Sequence, residues 1–279
     1  MTRPRIARIA AAGGILLLGA ALAACQTPAA PAEEGDGYVT EGKLTIGTGE
    51  PAYFPYVIDD DPESGDGFES AVAYAVAAEL GFDAEDVVWV RSTFEAAIAP
   101  GPKDFDINLQ QFTISEDRAQ NVDFSSPYYS TPQAVVTVEG SAVAGASSID
   151  DLKDAVLGAQ VGTTSLQTIE TVIEPSQAAQ PYNSNDDAVL ALQNGQVDAL
   201  VVDLPTAFYM SGVQLEGGVL IGQLPADAGI SDEWGLVLAK DSPLTEEVTA
   251  AVDALTEDGT LAEIAEAQLG ADAGAPLLQ

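Results

Sequence analysis

The chain contains no histidine and a single cysteine, Cys25. Without histidine it lacks the side chain that most often serves as a general base near neutral pH and as a metal ligand. One cysteine excludes an intrachain disulfide and a cysteine metal cluster. Positive charge is also scarce, with 9 Lys+Arg against 44 Asp+Glu and a formal net charge of −35. Such a chain repels phosphates, which argues against nucleic acid as a partner, and it gains nothing from anionic lipid head groups. The acids are spread along the sequence, with no run of five or six. The acidity therefore reads as a solvated surface rather than an interaction tail, and its self-repulsion is relieved by salt. With 279 residues and 47% hydrophobic composition there is ample material for a packed core, in one large domain or two of roughly 100–150 residues.

The first 25 residues, MTRPRIARIAAAGGILLLGAALAAC, hold Arg3, Arg5 and Arg8, then an apolar run over residues 9–24. This is the pattern of a secretory leader, and the run is short of the roughly 20 residues a membrane helix needs. Leu22-Ala23-Ala24-Cys25 resembles the bacterial lipoprotein box, in which the cysteine is acylated and becomes the first residue after cleavage. Two acyl chains suffice for stable anchoring, so residues 1–25 are expected to be a lipoprotein signal peptide and Cys25 the link to the membrane. Residues 26–42, rich in Ala, Pro, Gly and acids, cannot bury apolar surface and are expected to form a flexible tether. Outside the leader only two arginines remain, Arg91 and Arg118.

One of them lies in DINLQQFTISEDRAQNVDFSSPYY, residues 106–129. Ile107 and Leu109 alternate with polar neighbours as in a half-buried strand, which runs into Gln110, Gln111 and Thr113. Ser115 is a good N-cap, and Glu116 and Asp117 suit a first helical turn. Arg118 falls in that same turn, where the helix dipole disfavours a cation. An arginine placed against local preference needs a partner. Asp123 is the internal candidate, and the anionic group of a ligand is the alternative.

The rest alternates strands with helices. Residues 43–48 form a strand, followed by a loop crowded with Tyr53, Phe54 and Tyr56, either core lids or a stacking surface. A helix over 67–82 carries Phe68, Val72, Val76 and Leu80 on one side and stops at Gly81. A strand over 86–90 and a short helix from Phe94 follow. Residues 133–138 read as a strand that crosses into a second lobe. There, 155–161 is a buried strand leading to a Gly-Thr-Thr turn and a helix. Thr163 and Thr164 either cap that helix or present free amides to an anion. A helix over 185–194 precedes the strand 197–202, which ends in Asp203. That acid either binds an ammonium or caps the helix at Pro205. The strand 234–239 and two helices broken at Asp258-Gly259 are expected to return to the first lobe. The pattern predicts an α/β protein with largely parallel sheets and ligands at the carboxyl ends of strands. Residues 43–133 plus 234–279 form one lobe and 134–233 the other.

Taken in order, GFESAVAYAVAAELG, FTISEDRAQNVDFSSPYY, LGAQVGTT, GQVDALVVD and EDGTLAEI resemble the extracellular solute-binding proteins of ABC importers, in the polar amino-acid branch (family 3), over roughly residues 43–270. The second segment is the specific one. The resemblance implies a two-lobed periplasmic-binding-protein-like fold with two crossover connections, closing on one zwitterionic amino acid. It implies that Arg118 forks onto the ligand α-carboxylate, assisted by Thr113 and by the amides of Thr163 and Thr164, and that Asp203 accepts from the α-ammonium. Tyr53 and Phe94 would sandwich the side chain, and Gln110 or Gln111 would offer a backbone carbonyl. It implies a monomer, outside the cytoplasm, with ABC permease subunits as partners and no cofactor. The chain departs from the family at Gln110 and Gln111, where small residues are usual; the added bulk favours a polar or smaller ligand. Two other readings share the scaffold. One is a ligand-sensing lipoprotein. The other is a dehydratase or lyase using Asp203 and Glu69 for acid–base work, for which the sequence offers no histidine or further cysteine.

Overall fold

Two five-stranded mixed sheets organise the computed structural model, which describes residues 37–225, 232–270 and 275–279. The expected signal peptide with Cys25, and the tether as far as residue 36, lie outside the described residues.

The chain starts with β1 (Leu44–Gly49), α1 (Phe68–Glu79), β2 (Val87–Ser92), α2 (Phe94–Ile98), β3 (Ile107–Asn108) and β4 (Val122–Thr131). Every residue of β1 is buried, as expected of a strand covered on both faces. The helix α1 lays Phe68, Val72, Ala73 and Val76 into the first core, and Gly81 just beyond it takes φ +88°, the left-handed conformation that ends helices without a Cβ penalty.

The second sheet is built from β5 (Gln133–Val138), β6 (Leu157–Gln160), β7 (Gln180–Tyr182), β8 (Ala199–Asp203) and β9 (Gly218–Gln223), with the helices α3 (Thr164–Thr168), α4 (Asn185–Gln193) and α5 (Leu204–Tyr209). The chain then returns through β10 (Asp232–Ala239) to α6 (Thr245–Glu257) and α7 (Thr260–Leu269). Val248, Val252 and Leu255 of α6 and Leu261 of α7 share the first core with Phe68 and Trp234, so both C-terminal helices do pack on the first sheet. Among the described residues no helix is long and apolar enough to cross a membrane.

The expectation of largely parallel sheets needs correction. The strand β1 runs parallel to β2 and β3, but β10 is antiparallel to both β3 and β4. In the second sheet β6 is parallel to β7 and β8, whereas β5 is antiparallel to β8 and β9. Parallel neighbours require a long crossover. The strands that carry the chain between lobes enter directly instead: β4 continues past Pro132 into β5, and β10 comes back. Of these, β10 runs against the rest of the first sheet and β5 against the rest of the second. Two strands were not foreseen, β7 and β9. Both are sheet edges, where Pro181 can sit because its missing N–H is not needed.

The lobe boundaries also shift. The returning strand starts at Asp232, two residues early, and the last residues leave the first lobe. Gln223 pairs with Leu277, Ile149 N–H donates to the Gln279 carbonyl at 3.1 Å, and Leu278 is buried in the second lobe. Gly222 makes room for this tail, because a Cβ there would lie 2.5 Å from the Pro276 carbonyl oxygen.

Candidate ligand site between the lobes

The carboxyl ends of β1, β3 and β8 point at a cleft between the sheets. It holds two adjoining cavities of about 90 Å³ and 40 Å³, which share Phe94, Gln110, Gln111, Gln160 and Asn185 as walls. At roughly 10–15 Å³ per water-sized atom, this is room for about ten such atoms, the scale of a mid-sized amino acid.

Arg118 and Asp203 both line the smaller cavity. Arg118 opens a single 3₁₀ turn, Arg118–Gln120, and its N–H is held by Ser115 Oγ at 3.3 Å. The residue as a whole is 9% exposed. Nη1 donates to the Thr113 carbonyl at 2.7 Å and Nη2 to the Gly162 carbonyl, in the opposite lobe, at 3.0 Å. Phe94 lies beneath it, with Cζ 5.3 Å from the ring centroid, a cation–π geometry, and Phe112 backs that ring at 4.8 Å. Asp123, the internal candidate, is taken elsewhere, by Lys240 Nζ and Thr245 Oγ1, each at 3.0 Å. Among the described residues no carboxylate forms an ion pair with Arg118. Burial pulls its pKa below the ordinary value, against the opposing pull of Asp232 and Asp203.

Asp203 closes β8 and immediately precedes α5, yet its side chain makes no capping bond. The capping alternative is therefore set aside. Its Oδ1 instead accepts from Gln133 Nε2 at 2.6 Å, and the same Nε2 donates to Asp232 Oδ2 at 2.5 Å. Burial, then the neighbouring Asp232, push the Asp203 carboxyl well above the usual range. Asp232 is fully buried and also takes the Thr113 hydroxyl proton, at 2.7 Å. Thr113 does not line either cavity, and its hydroxyl donates to Asp232. Thr163 and Thr164 line the smaller cavity. The Thr163 hydroxyl caps α3, accepting from Leu166 N–H at 3.2 Å and donating to the Gln160 carbonyl at 2.7 Å. Thr164 Oγ1 lies 3.3 Å from that of Thr113.

Amides, hydroxyls and acids line the larger cavity together with Pro51, Ala52, Val57 and Phe94. Glu69, 2% exposed, accepts from Tyr128 OH at 2.5 Å, from Gln111 N–H at 2.7 Å and from Gln111 Nε2 at 2.5 Å. Burial pushes its pKa up to about 7 despite these bonds. Gln111 sits at φ 51°, an uncommon conformation for a non-glycine residue, and two bonds to Glu69 hold it there. Gln110 Nε2 is committed to Asn108 Oδ1 at 2.9 Å and Ser92 Oγ at 3.1 Å. Tyr53 and Phe94 both reach this cavity. Burial, then the charge of Asp186, push the Tyr53 hydroxyl to about 12.

The two lobes touch directly. Tyr56 OH and Thr206 Oγ1 are 2.8 Å apart, and the Phe54 and Tyr209 rings lie 4.8 Å centroid to centroid. With Arg118–Gly162, these contacts describe a shut cleft.

Among the described residues, a guanidinium without an acid partner and a half-buried carboxylate face one cavity from the two lobes. The profile of bacterial extracellular solute-binding proteins, family 3, matches residues 44–271. The chain belongs to that family. It is 29% identical over 222 residues to the L-arginine-binding protein of Pseudomonas aeruginosa, covering 77% of this chain and 83% of that one. To the glutamate-binding protein GluB of Corynebacterium efficiens it is 27% identical over 277 residues, with coverages of 94% and 90%. An ancestral arginine-binding protein bound to glutamine shares its fold with a TM-score of 0.68 at 29% identity, over 83% of this chain and all of that one.

In this family 3 chain, sequence reasoning passed over the part played by Gln133, Asp232 and Thr206, and named Tyr56 only as a core lid or stacking ring. Gln133 and Asp232 are the first residues of β5 and β10, the two strands entered on crossing between lobes. Polar side chains at the starts of buried strands were the available signal. Their meeting around Asp203 depends on the two crossings lying side by side.

Proposed function

We propose that this family 3 protein is an extracytoplasmic receptor that binds a polar amino acid between its lobes and delivers it to an ABC permease, held at the membrane by lipidated Cys25. The carrying observation is that Arg118 and Asp203 line one cavity from opposite lobes, the arginine with carbonyl partners only. A zwitterion needs a cation and an anion on opposite sides, and both attractions strengthen in a site that excludes water. The planar fork of Arg118 suits a carboxylate in bidentate fashion, with the Thr113 backbone and the Thr163 and Thr164 amides beside it. Asp203 takes the ammonium, which restores its charged form, and Gln133 holds the carboxylate in place.

Ligand groups that bridge the lobes make closure depend on the ligand, which is the form a permease has to distinguish. Relatives named as arginine- and glutamate-binding proteins support binding without chemistry. The leader pattern supports the anchor: mass spectrometry of the mature protein should show a diacylglyceryl-modified Cys25, and Cys25→Ser should release the protein from membranes. Calorimetry against the amino acids tests the receptor reading. Micromolar binding, about −8 kcal/mol, is expected for at least one polar amino acid, and absence of binding across the set would overturn it.

A further inference from the structure

The structure separates the two ends of the cleft by charge. Arg118 borders the smaller cavity only. Among the described residues no lysine or arginine lines the larger one, whereas Glu50 and Glu69 do. The nearest other guanidinium, Arg91, is turned to the outside: Nη1 bonds the Gly49 carbonyl and Asp60 Oδ1, and Nη2 the Asp60 carbonyl. The larger cavity therefore offers an anionic group no cation to pair with and two carboxylates to repel it.

On the wall made by Gln110 and Glu69 the hydrogen-bonding sense is also one-sided. Gln110 has its amide nitrogen turned onto Asn108 Oδ1 and Ser92 Oγ. Its Oε1 is left as an acceptor beside Gly49, 3.3 Å from where a Cβ on that residue would stand. Glu69 Oε2 accepts one bond, from Gln111 Nε2, and a carboxylate oxygen has capacity for two. Gly49 keeps this wall open, because a Cβ there would also meet the Pro51 carbonyl oxygen at 2.8 Å.

Building on the zwitterion reading above, we infer that the larger cavity selects an amino acid whose side chain donates hydrogen bonds and carries no negative charge, a carboxamide or a planar cation, with Glu69 and Gln110 as the residues that receive it. A side-chain carboxylate would be desolvated without a cationic partner and opposed by Glu69. An aliphatic side chain would leave buried acceptors unsatisfied.

The test is calorimetry of the full chain at pH 8 against glutamine, arginine, glutamate and leucine, with Glu69→Gln measured in parallel. Glutamine or arginine should bind, with glutamate about 100-fold weaker and leucine at least tenfold weaker than the better of the two. In Glu69→Gln the preference for glutamine over glutamate should narrow about tenfold. Glutamate or leucine within tenfold of the best donor would overturn the inference. If that binding is lost in Arg118→Ala, the zwitterion reading survives it. If none of the four binds, this inference falls, while the zwitterion reading falls only if the remaining amino acids fail to bind as well.

Discussion

Arg118 Nη2 donates to the carbonyl oxygen of Gly162 at 3.0 Å, so a guanidinium rooted in the first lobe grips the loop that opens α3 in the second. Carbonyls take two of its five N–H donors without cancelling its charge. The group is thus held in place yet still open to an anion, as a carboxylate receptor requires. Replacing Arg118 by alanine is expected to cost on the order of 2–5 kcal/mol of binding, much of it from the ligand carboxylate left unpaired. Arg118→Lys should recover little, since an ammonium cannot reproduce the fork. Unchanged affinity by calorimetry would remove Arg118 from the site.

Asp203 should show opposite effects on stability and binding. It is held beside Asp232 by one shared donor, Gln133 Nε2, and its charged form is disfavoured by burial and by that neighbour. Asparagine keeps the acceptor for Gln133 and removes the repulsion. Asp203→Asn should therefore raise the ligand-free melting temperature, by about 2–4 °C per kcal/mol gained in a body of this size. Affinity should fall at least tenfold for want of a partner for the ammonium. A lower melting temperature would mean that Asp203 stabilises the fold itself.

Glu69 makes stability depend on pH in a defined window. Its folded pKa of about 7 exceeds its ordinary value of 4.5. Between those values the folded state keeps a proton that the unfolded state has lost, so stability falls as pH rises through that interval and is level above it. At about 1.4 kcal/mol per pH unit, wild type should lose roughly 2–3 kcal/mol more than Glu69→Gln between pH 5 and pH 8 in chemical denaturation. Parallel curves for the two proteins would show that Glu69 does not titrate there.

Phe54 and Tyr209 form an aromatic contact between the lobes, with centroids 4.8 Å apart, and Phe54 remains 42% exposed. Neither ring belongs to a lobe core, so Phe54→Ala should leave the fold intact while loosening the shut form. Ligand dissociation should accelerate, with affinity falling by about 0.5–1.5 kcal/mol. Stopped-flow dissociation at the wild-type rate would show that the contact contributes nothing to closure.

Much of the architecture could be read from local pattern. The α1 helix followed from apolar spacing and the terminal Gly81. The strands β1, β5, β8 and β10 followed from short β-rich runs. Arg118 stood out because a cation in a first helical turn contradicts local preference, and the structure supplies the reason, a cleft to face. The antiparallel pairing of β5 and β10, the short edge strands β7 and β9, and the docking of residues 275–279 on the second lobe were not readable. Each depends on partners distant along the chain.

The sequence by itself determined the acidic surface, the alternation of strands and helices, and the presence of one exceptional arginine, because charge, periodicity and capping are local properties. Tertiary structure alone decided which alternative held at each ambiguous residue. The Asp123 carboxylate went to Lys240 and Thr245, the Thr163 hydroxyl to its helix cap, the Thr113 hydroxyl to Asp232, and the Asp203 carboxylate to Gln133 rather than to a cap. Short-range hydrogen bonding and burial choose a side chain's partner from those that the fold brings within about 3 Å, and proximity of that kind is set by how the two crossings stack the sheets.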